Sequence, residues 1–375
     1  MAIPEKCIEN YKYTFQKELL RGKVAFVTGG ASGICFTIAE VLMRHGCDTV
    51  IVSRRMDKLK QSADLLMKAT GRRCVPIQMD VRKPEQIIKA VDEALAQMGR
   101  IDILINGAAG NFLAPAASLS FNAFKTVMEI DCHGTFNVSK VVYDKFFKDH
   151  GGMIVNITAT LQMRGTALQT HAGSAKAAIE AMTRHLAVEW GPDKVRVMCV
   201  APGPIGDTEG MNRLGGKHLT DNILKVIPIQ RIGTRQDIGD TVLYVVSNAA
   251  QLLTGTTIIA DGGNCLTDDN NFIARRAMEI PSLIRYNHIL LYDSKSQGQQ
   301  LIDCHGGKHL TQDFINAIPC QRLGTRQDIG DTVMYVVSDA AQLLTGTTVI
   351  ADGGSHLTRS NNFQERMTLL KNSRL

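Results

Sequence analysis

The sequence of 375 residues lacks any apolar run near the roughly 18 residues that a membrane-crossing helix needs. No transmembrane span is therefore expected. Residues 1–20 include Glu5, Lys6, Glu9, Lys12, Lys17 and Glu18, so the apolar core of a secretion signal is missing as well. Nine cysteines are present, but none in CxxC or CxxH spacing. That excludes the common zinc ribbons and dithiol redox sites and reads as scattered thiols in a reducing compartment. No metal site is expected. Forty-two Lys and Arg against 36 Asp and Glu give a net charge of +6, with no basic run. The surplus suits an anionic ligand and argues against dedicated nucleic-acid binding.

What is present is the balance of a soluble globular chain, 44% hydrophobic and 21% charged. Residues 215–272 recur at 306–363, offset by 91, with about three-quarters identity. Both copies carry GGKHLT, GTRQDIGDTV, AAQLLTGTT and ADGG. Two copies across a connector are too few for a solenoid. The pattern is that of a duplicated terminal segment, whether biological or an artefact of gene assembly. Each copy encodes one helix (236–247; 327–338) and one strand (256–260; 347–351), too little to bury a core alone. The sheet has room for one copy, and the first, which follows the 202–208 loop directly, is expected there. The boundaries read as an extension at 1–21, one domain at 22–272, a connector at 273–305, the second copy at 306–363 and a tail at 364–375. Limited proteolysis is expected to cut first in the connector.

Ahead of the repeat, short apolar strands (24–27, 49–52, 75–79, 101–105, 153–157, 195–200) alternate with helices (34–45, 57–70, 84–98, 123–147, 174–190). Alternation of this kind predicts an α/β fold, a doubly wound parallel sheet covered on both faces. The first strand runs into Thr28, Gly29, Gly30, Ala31, Ser32, Gly33, Ile34 and Cys35. A glycine turn between strand and helix brings backbone N–H groups and a helix N-terminus up to a pyrophosphate. The second strand ends in Ser53, Arg54 and Arg55, followed by Met56, Asp57 and Lys58. An NAD site usually has a carboxylate here; a hydroxyl and guanidinium groups suit the 2′-phosphate of NADP(H) instead. Asp80 follows the third strand, where it can accept from an adenine amino group. Asn106 and the small residues 107–110 follow the fourth, beside the adenosine ribose.

These residues resemble the short-chain dehydrogenase/reductase family over roughly 22–265. The matching pieces are the 28–35 turn, Asn106–Gly110, Lys176 within Ser174–Ala178, and Pro202-Gly203-Pro204. The resemblance implies a Rossmann sheet, a nicotinamide cofactor and a homo-oligomer whose contacts include the last helix and strand. Pro202, Gly203, Pro204, Ile205, Gly206, Asp207 and Thr208 would meet the nicotinamide. One departure is Cys35, where the family has its third turn glycine; a side chain there should crowd the helix against the strand and weaken cofactor binding or shift it locally.

The catalytic pattern departs further. The family's Tyr, four residues before Lys176, is Ala172; its Ser is Ala159; its Asn is Asp131. Without that hydroxyl, ordinary alcohol–ketone interconversion lacks its acid. The sequence is instead similar to the branch of peroxisomal 2,4-dienoyl-CoA reductases, through 108–112, 119–125, Asp131, 156–160, 171–176 and 202–205. Leu161 stands where mitochondrial relatives carry a Tyr. This resemblance implies hydride addition from NADPH to the δ carbon of a dienoyl thioester. Protonation at the α carbon would come from a water held by Asp131 and Lys176. Lys176 would also grip the nicotinamide ribose. Arg54 and Arg82 would lie near the CoA phosphates, Phe112, Ser120, Phe121 and Asn122 along the acyl and pantetheine path, and Arg213 would close over it. The partners would be a fatty acyl-CoA and, through Ser373-Arg374-Leu375, the peroxisomal import receptor. The alternatives are another enoyl- or 3-ketoacyl-CoA reductase of the family, against which Ala172 counts, or a catalytically impaired paralogue that only binds NADP(H) or acyl-CoA.

Overall fold

The computed structural model describes residues 15–163, 165–208, 211, 224, 227–267, 318–322 and 324–354. In chain order it has β1 (Val24–Thr28), α1 (Gly33–Arg44), β2 (Asp48–Ser53), α2 (Met56–Thr70), β3 (Cys74–Gln78), α3 (Pro84–Met98) and β4 (Ile103–Asn106). A long helical stretch follows as α4 (Phe121–Met128), α5 (Gly134–Val142) and α6 (Lys148–His150), joined by two π-helical turns, Glu129–His133 and Tyr143–Phe147. Then come β5 (Gly152–Ile157), α7 (Thr170–Trp190), β6 (Val195–Pro202), α8 (Arg235–Val246), β7 (Thr257–Ala260) and α9 (Arg326–Val337).

The seven strands are all parallel, in the order β3-β2-β1-β4-β5-β6-β7. All five residues of β1 are buried, which only a strand covered on both faces can satisfy. The two covering layers form separate cores. One joins α1, α2 and α8 to the sheet through Ile38, Leu42, Leu59, Ile238, Val242 and Leu243. The other joins α3, α5 and α7 through Ile87, Val91, Val138, Val142 and Leu186. The doubly wound architecture expected from the alternation is the observed one.

Three local readings change. α7 begins at Thr170 rather than at residue 174, which places Ala172 and Lys176 one turn apart on one helix. The helix expected at 123–147 runs from 121 to 150 and contains two π turns, inserted residues that a 3.6-residue period does not reveal. Residues 347–351 form no strand. The place beside β6 that the equivalent segment of the first copy takes is held by β7 in register Cys199–Thr257 to Pro202–Ala260.

The sheet order turns back between β1 and β4, so the crevice of the fold opens outside their C-terminal ends. Thr28 closes its floor. Its Oγ1 donates to the Ile105 carbonyl (3.3 Å) and accepts from the amides of Gly107 (2.9 Å) and Ala108 (3.1 Å), tying the two strand exits together.

Candidate active site

A cavity of about 960 Å³ lies over this switch point. Its walls come from the glycine turn, the end of β2, the exits of β3, β4, β5 and β6, and Lys176 of α7. At one end, helix α1 starts at Gly33 with no acidic residue in its first turn, and Ser32 makes no side-chain cap. Its N-terminal amides thus remain available to an anion. Gly33 has φ +61, and nothing lies within 4 Å of where its Cβ would stand. Only glycine keeps both that conformation and that open space.

Arg54, Arg55 and Lys58 line the cavity beyond the end of β2. None of the three is engaged in an ion pair among the described residues. Asp80 is taken by Arg82: Oδ2 lies 2.6 Å from Nη2, and Oδ1 accepts from Nε and from the Arg82 amide, each at 3.0 Å. The Arg82 guanidinium holds the Asp80 carboxyl below its ordinary range, and Asp80 in turn raises Arg82. Arg82 is therefore spent on Asp80 and does not itself line the cavity.

At the other end, Lys176 is 7% exposed and contacts Asp131, itself 1% exposed. Nζ lies 3.0 Å from Asp131 Oδ2 and donates to the Ile157 carbonyl at 3.3 Å. Asp131 Oδ1 accepts from the Gly110 amide at 2.8 Å, so one carboxylate joins the β4 exit to α7. Oδ2 has no aligned hydrogen-bond donor. The π turn at Glu129–His133 sets this carboxylate inward, as such turns often do at functional sites. Asp131 stands behind Lys176 and does not line the cavity itself; its neighbour Ile130 does. The wall beside Lys176 is Thr158 and Ala159, and the Thr158 hydroxyl is turned to the Val200 carbonyl at 3.4 Å. Ala172 is buried and carries no hydroxyl.

Of the remaining expected residues, Gly29, Ala31, Ser32, Ile34, Pro202, Gly203, Pro204, Ile205 and Thr208 line the cavity. Gly30, Met56, Asp57, Asn106, Gly206 and Asp207 do not. Gly30 packs against β2, where a Cβ would meet Ile51 at 2.8 Å. The Asn106 side chain is buried in the core and donates to Ser139 Oγ and Asn156 Oδ1, each at 2.9 Å. Phe112 stacks on His171 (4.3 Å), whose Nε2 donates to the Phe112 carbonyl (3.0 Å), and it lies outside the lining. Ser120 caps α4 by accepting from the Ala123 amide at 3.1 Å. Phe121 is 98% exposed, and Asn122 is exposed beside it. Arg213 and the tail Ser373-Arg374-Leu375 lie outside the described residues.

Cys35 also lines the cavity, yet its sulfur is accommodated by Gly107, where a Cβ would stand only 2.1 Å from Sγ. The crowding expected from Cys35 falls on a position with no side chain to displace. Burial pushes this thiol up to about 12, so it is neutral. Sequence reasoning missed His171 and Gln169, which hold the 107–113 loop through Phe112 and Asn111 (2.8 Å). Their only sequence signal is position, in the turn before Lys176.

The profile of the enoyl-(acyl carrier protein) reductase family matches residues 29–264 and 280–356, the second stretch covering most of the second copy. The chain belongs to the short-chain dehydrogenase/reductase family. A protein named peroxisomal 2,4-dienoyl-CoA reductase in Danio rerio is 62% identical over 268 residues, 71% of this chain and 89% of the relative. One of the same name in Saccharomyces cerevisiae is 42% identical over 253 residues, 67% of this chain and 86% of that protein. Among solved structures, a citronellol catabolism dehydrogenase of Pseudomonas aeruginosa is 32% identical with a TM-score of 0.61, covering 68% of this chain and all of that one. A 7α-hydroxysteroid dehydrogenase solved with NADH is 27% identical with a TM-score of 0.63, covering 66% and 97%. The family and the cavity together assign a nicotinamide dinucleotide.

Proposed function

We propose that this chain reduces 2,4-dienoyl-CoA to 3-enoyl-CoA with NADPH, in the peroxisomal breakdown of unsaturated fatty acids. The observation that carries the reading is the buried Asp131–Lys176 pair at the cavity wall (3.0 Å), with Ala172 where a carbonyl reductase of the family needs a hydroxyl. The relatives' names support the same reaction. NADPH over NADH is supported by Arg54, Arg55 and Lys58, three cavity-lining cations with no ion pair among the described residues and suited to a 2′-phosphate.

When bound, the dinucleotide supplies a hydride to the δ carbon of the substrate. The electron pair then shifts through the conjugated chain towards the thioester oxygen, and a proton at the α carbon leaves the double bond between the β and γ carbons. The protein's part is electrostatic and positional. An ammonium has three donors. Lys176 spends one on Ile157 and is charge-paired with Asp131 at 3.0 Å, which leaves donors for the cavity, where the ammonium offsets the developing negative charge. Asp131 Oδ2 has no aligned donor of its own and supplies the acceptor for a water beside Lys176, the source of the α proton. The acyl chain enters past the 107–113 loop that His171 braces. Phe112, Ser120, Phe121 and Asn122 belong to the outer part of that path and Arg54 to the CoA phosphates, while Arg82 stays engaged by Asp80. Ser373-Arg374-Leu375 is the address read by the import receptor.

A substrate panel tests this reading. NADPH consumption should be rapid with 2,4-hexadienoyl-CoA and slower by at least ~100-fold with 2-hexenoyl-CoA or a 3-ketoacyl-CoA, whose reduction needs the missing hydroxyl. Turnover of the ketoacyl thioester instead would move the activity to the tyrosine-dependent branch. No turnover with any of them would leave a dinucleotide-binding protein.

A further inference from the structure

The apex of the glycine turn is held from behind by a residue that is not itself in the cavity wall. Helix α2 buries Leu59, Ser62, Ala63 and Leu66, and Ser62 is the one polar side chain in that stripe. It is 6% exposed. A buried hydroxyl is costly unless it is hydrogen-bonded. A serine inside a helix can meet that need locally, through the carbonyl one turn before it. Ser62 instead reaches across the fold. Its Oγ donates to the Ala31 carbonyl at 2.9 Å, 31 positions away in the chain.

The first half of the turn is anchored differently. The Gly29 amide donates to the Val52 carbonyl at 2.9 Å, and Gly30 packs on Ile51, so both are tied to β2. Ala31 follows, and there the anchor passes from the sheet to α2. A trans peptide unit is planar, so its C=O and N–H point in opposite directions. The Ala31 carbonyl and the Ser32 amide belong to one such unit. Holding the carbonyl on α2 therefore turns the Ser32 N–H away from α2, and both residues lie on the cavity wall. Among the described residues that amide makes no hydrogen bond. It stands just ahead of the N-terminal amides of α1.

We propose, on the dinucleotide reading of the cavity, that Ser62 is a positioning residue for the cofactor: through the Ala31 carbonyl it aims the Ser32 amide at the pyrophosphate. The role does not depend on the reaction catalysed. Helix α2 directly follows Arg54 and Arg55 and carries Lys58 in its first turn, and all three line the cavity. One helix thus sets the spacing between the cations that meet a 2′-phosphate and the amide that meets the pyrophosphate.

Titration of the purified full chain tests this. The probes are NADPH, NADH and adenosine 2′-monophosphate, which keeps the adenosine and the 2′-phosphate but has no pyrophosphate. Ser62→Ala removes the hydroxyl and frees the Ala31–Ser32 peptide to turn. Affinity for NADPH and for NADH is expected to fall together, each by roughly 3- to 10-fold, the effect of one lost hydrogen bond. Adenosine 2′-monophosphate is expected to bind as it does to the wild type. The equal loss distinguishes Ser62 from Arg54 and Arg55, whose removal shifts the preference between the two dinucleotides. Wild-type affinity for both dinucleotides in the variant overturns the proposal. So does equal weakening of all three ligands, the mark of a merely structural role. A wild type that binds neither dinucleotide removes the dinucleotide reading itself, and the proposal with it. If Ser62→Ala does not fold, Ser62→Cys decides by the same titrations, because a thiol is a weak donor. Loss confined to the two dinucleotides supports the role, and wild-type affinities overturn it.

Discussion

Burying a carboxylate is costly unless it is both paired and hydrogen-bonded. Asp131 is both, through Lys176 (3.0 Å) and the Gly110 amide (2.8 Å). Asp131→Asn keeps the shape and removes the charge, so kcat should fall by about 100-fold or more with KM nearly unchanged in steady-state kinetics. Asp131→Ala should also lower the melting temperature, because an unpaired buried Lys176 costs about 3–5 kcal/mol. At the other end of the cavity, Arg54→Ala with Arg55→Ala should lower the preference for NADPH over NADH by ~10-fold or more, one or two charge-assisted hydrogen bonds being lost. Equal affinities in wild type and variant by titration would contradict that assignment. Cys35 and Gly107 form a coupled pair. Gly107→Ala forces a Cβ to within 2.1 Å of the thiol sulfur, and overpacking of this kind costs about 1–3 kcal/mol in denaturant melts. Cys35→Gly should restore most of that loss. Asp131 and Lys176 were legible because their spacing along the chain matches a known pattern. The fate of Cys35 was not, since the residue that makes room for it lies on another strand exit and no local pattern links the two.

At the scale of elements, α8 is buried against α1 on one side and α9 on the other, and this alters one of its carboxyls. Asp240 is 6% exposed, and burial, assisted by the nearby Asp237 charge, pushes it up to about 7, while Gln236 offsets part of the rise. Its folded value exceeds its unfolded one, so the folded chain holds the extra proton between about pH 4 and pH 7. This contribution to stability is complete below about pH 4 and is lost as the pH rises through about 7. Asp328, held to about 2 by Arg322, acts the other way and loses its contribution as the pH falls from about 4 towards 2. Melting temperatures measured between pH 5 and 8 should fall in the wild type and much less in Asp240→Asn; parallel curves would refute the assignment. Strand and helix order was readable from apolar alternation because the inner strands β1, β4, β5 and β6 are buried on both faces. The π turns that set Asp131 inward were not readable, since an inserted residue leaves the apolar stripe of α4 and α5 nearly intact. The missing strand at 347–351 was unreadable for a different reason: its sequence is almost that of β7, and the place beside β6 is taken by β7 itself.

Across the whole molecule, the sheet order places one cavity where the β1 and β4 exits diverge, and each end of that cavity has its own charge chemistry. The glycine turn and cations of one end suit a dinucleotide; the Lys176–Asp131 pair of the other suits a developing dienolate. The repeat announced itself in the sequence, but not that its copies touch, the Gly262 amide donating to the Leu343 carbonyl at 2.9 Å and the Gly353 amide to the Leu252 carbonyl at 2.7 Å, since that depends on segments far apart in the chain. Running the reaction in heavy water follows the proton that Asp131 and Lys176 deliver. With NADPH and 2,4-hexadienoyl-CoA, the account predicts NADPH consumption and a 3-hexenoyl-CoA product carrying a single deuterium at the α carbon. A 2-enoyl product with deuterium at the γ carbon would contradict it, as would a substrate returned unchanged.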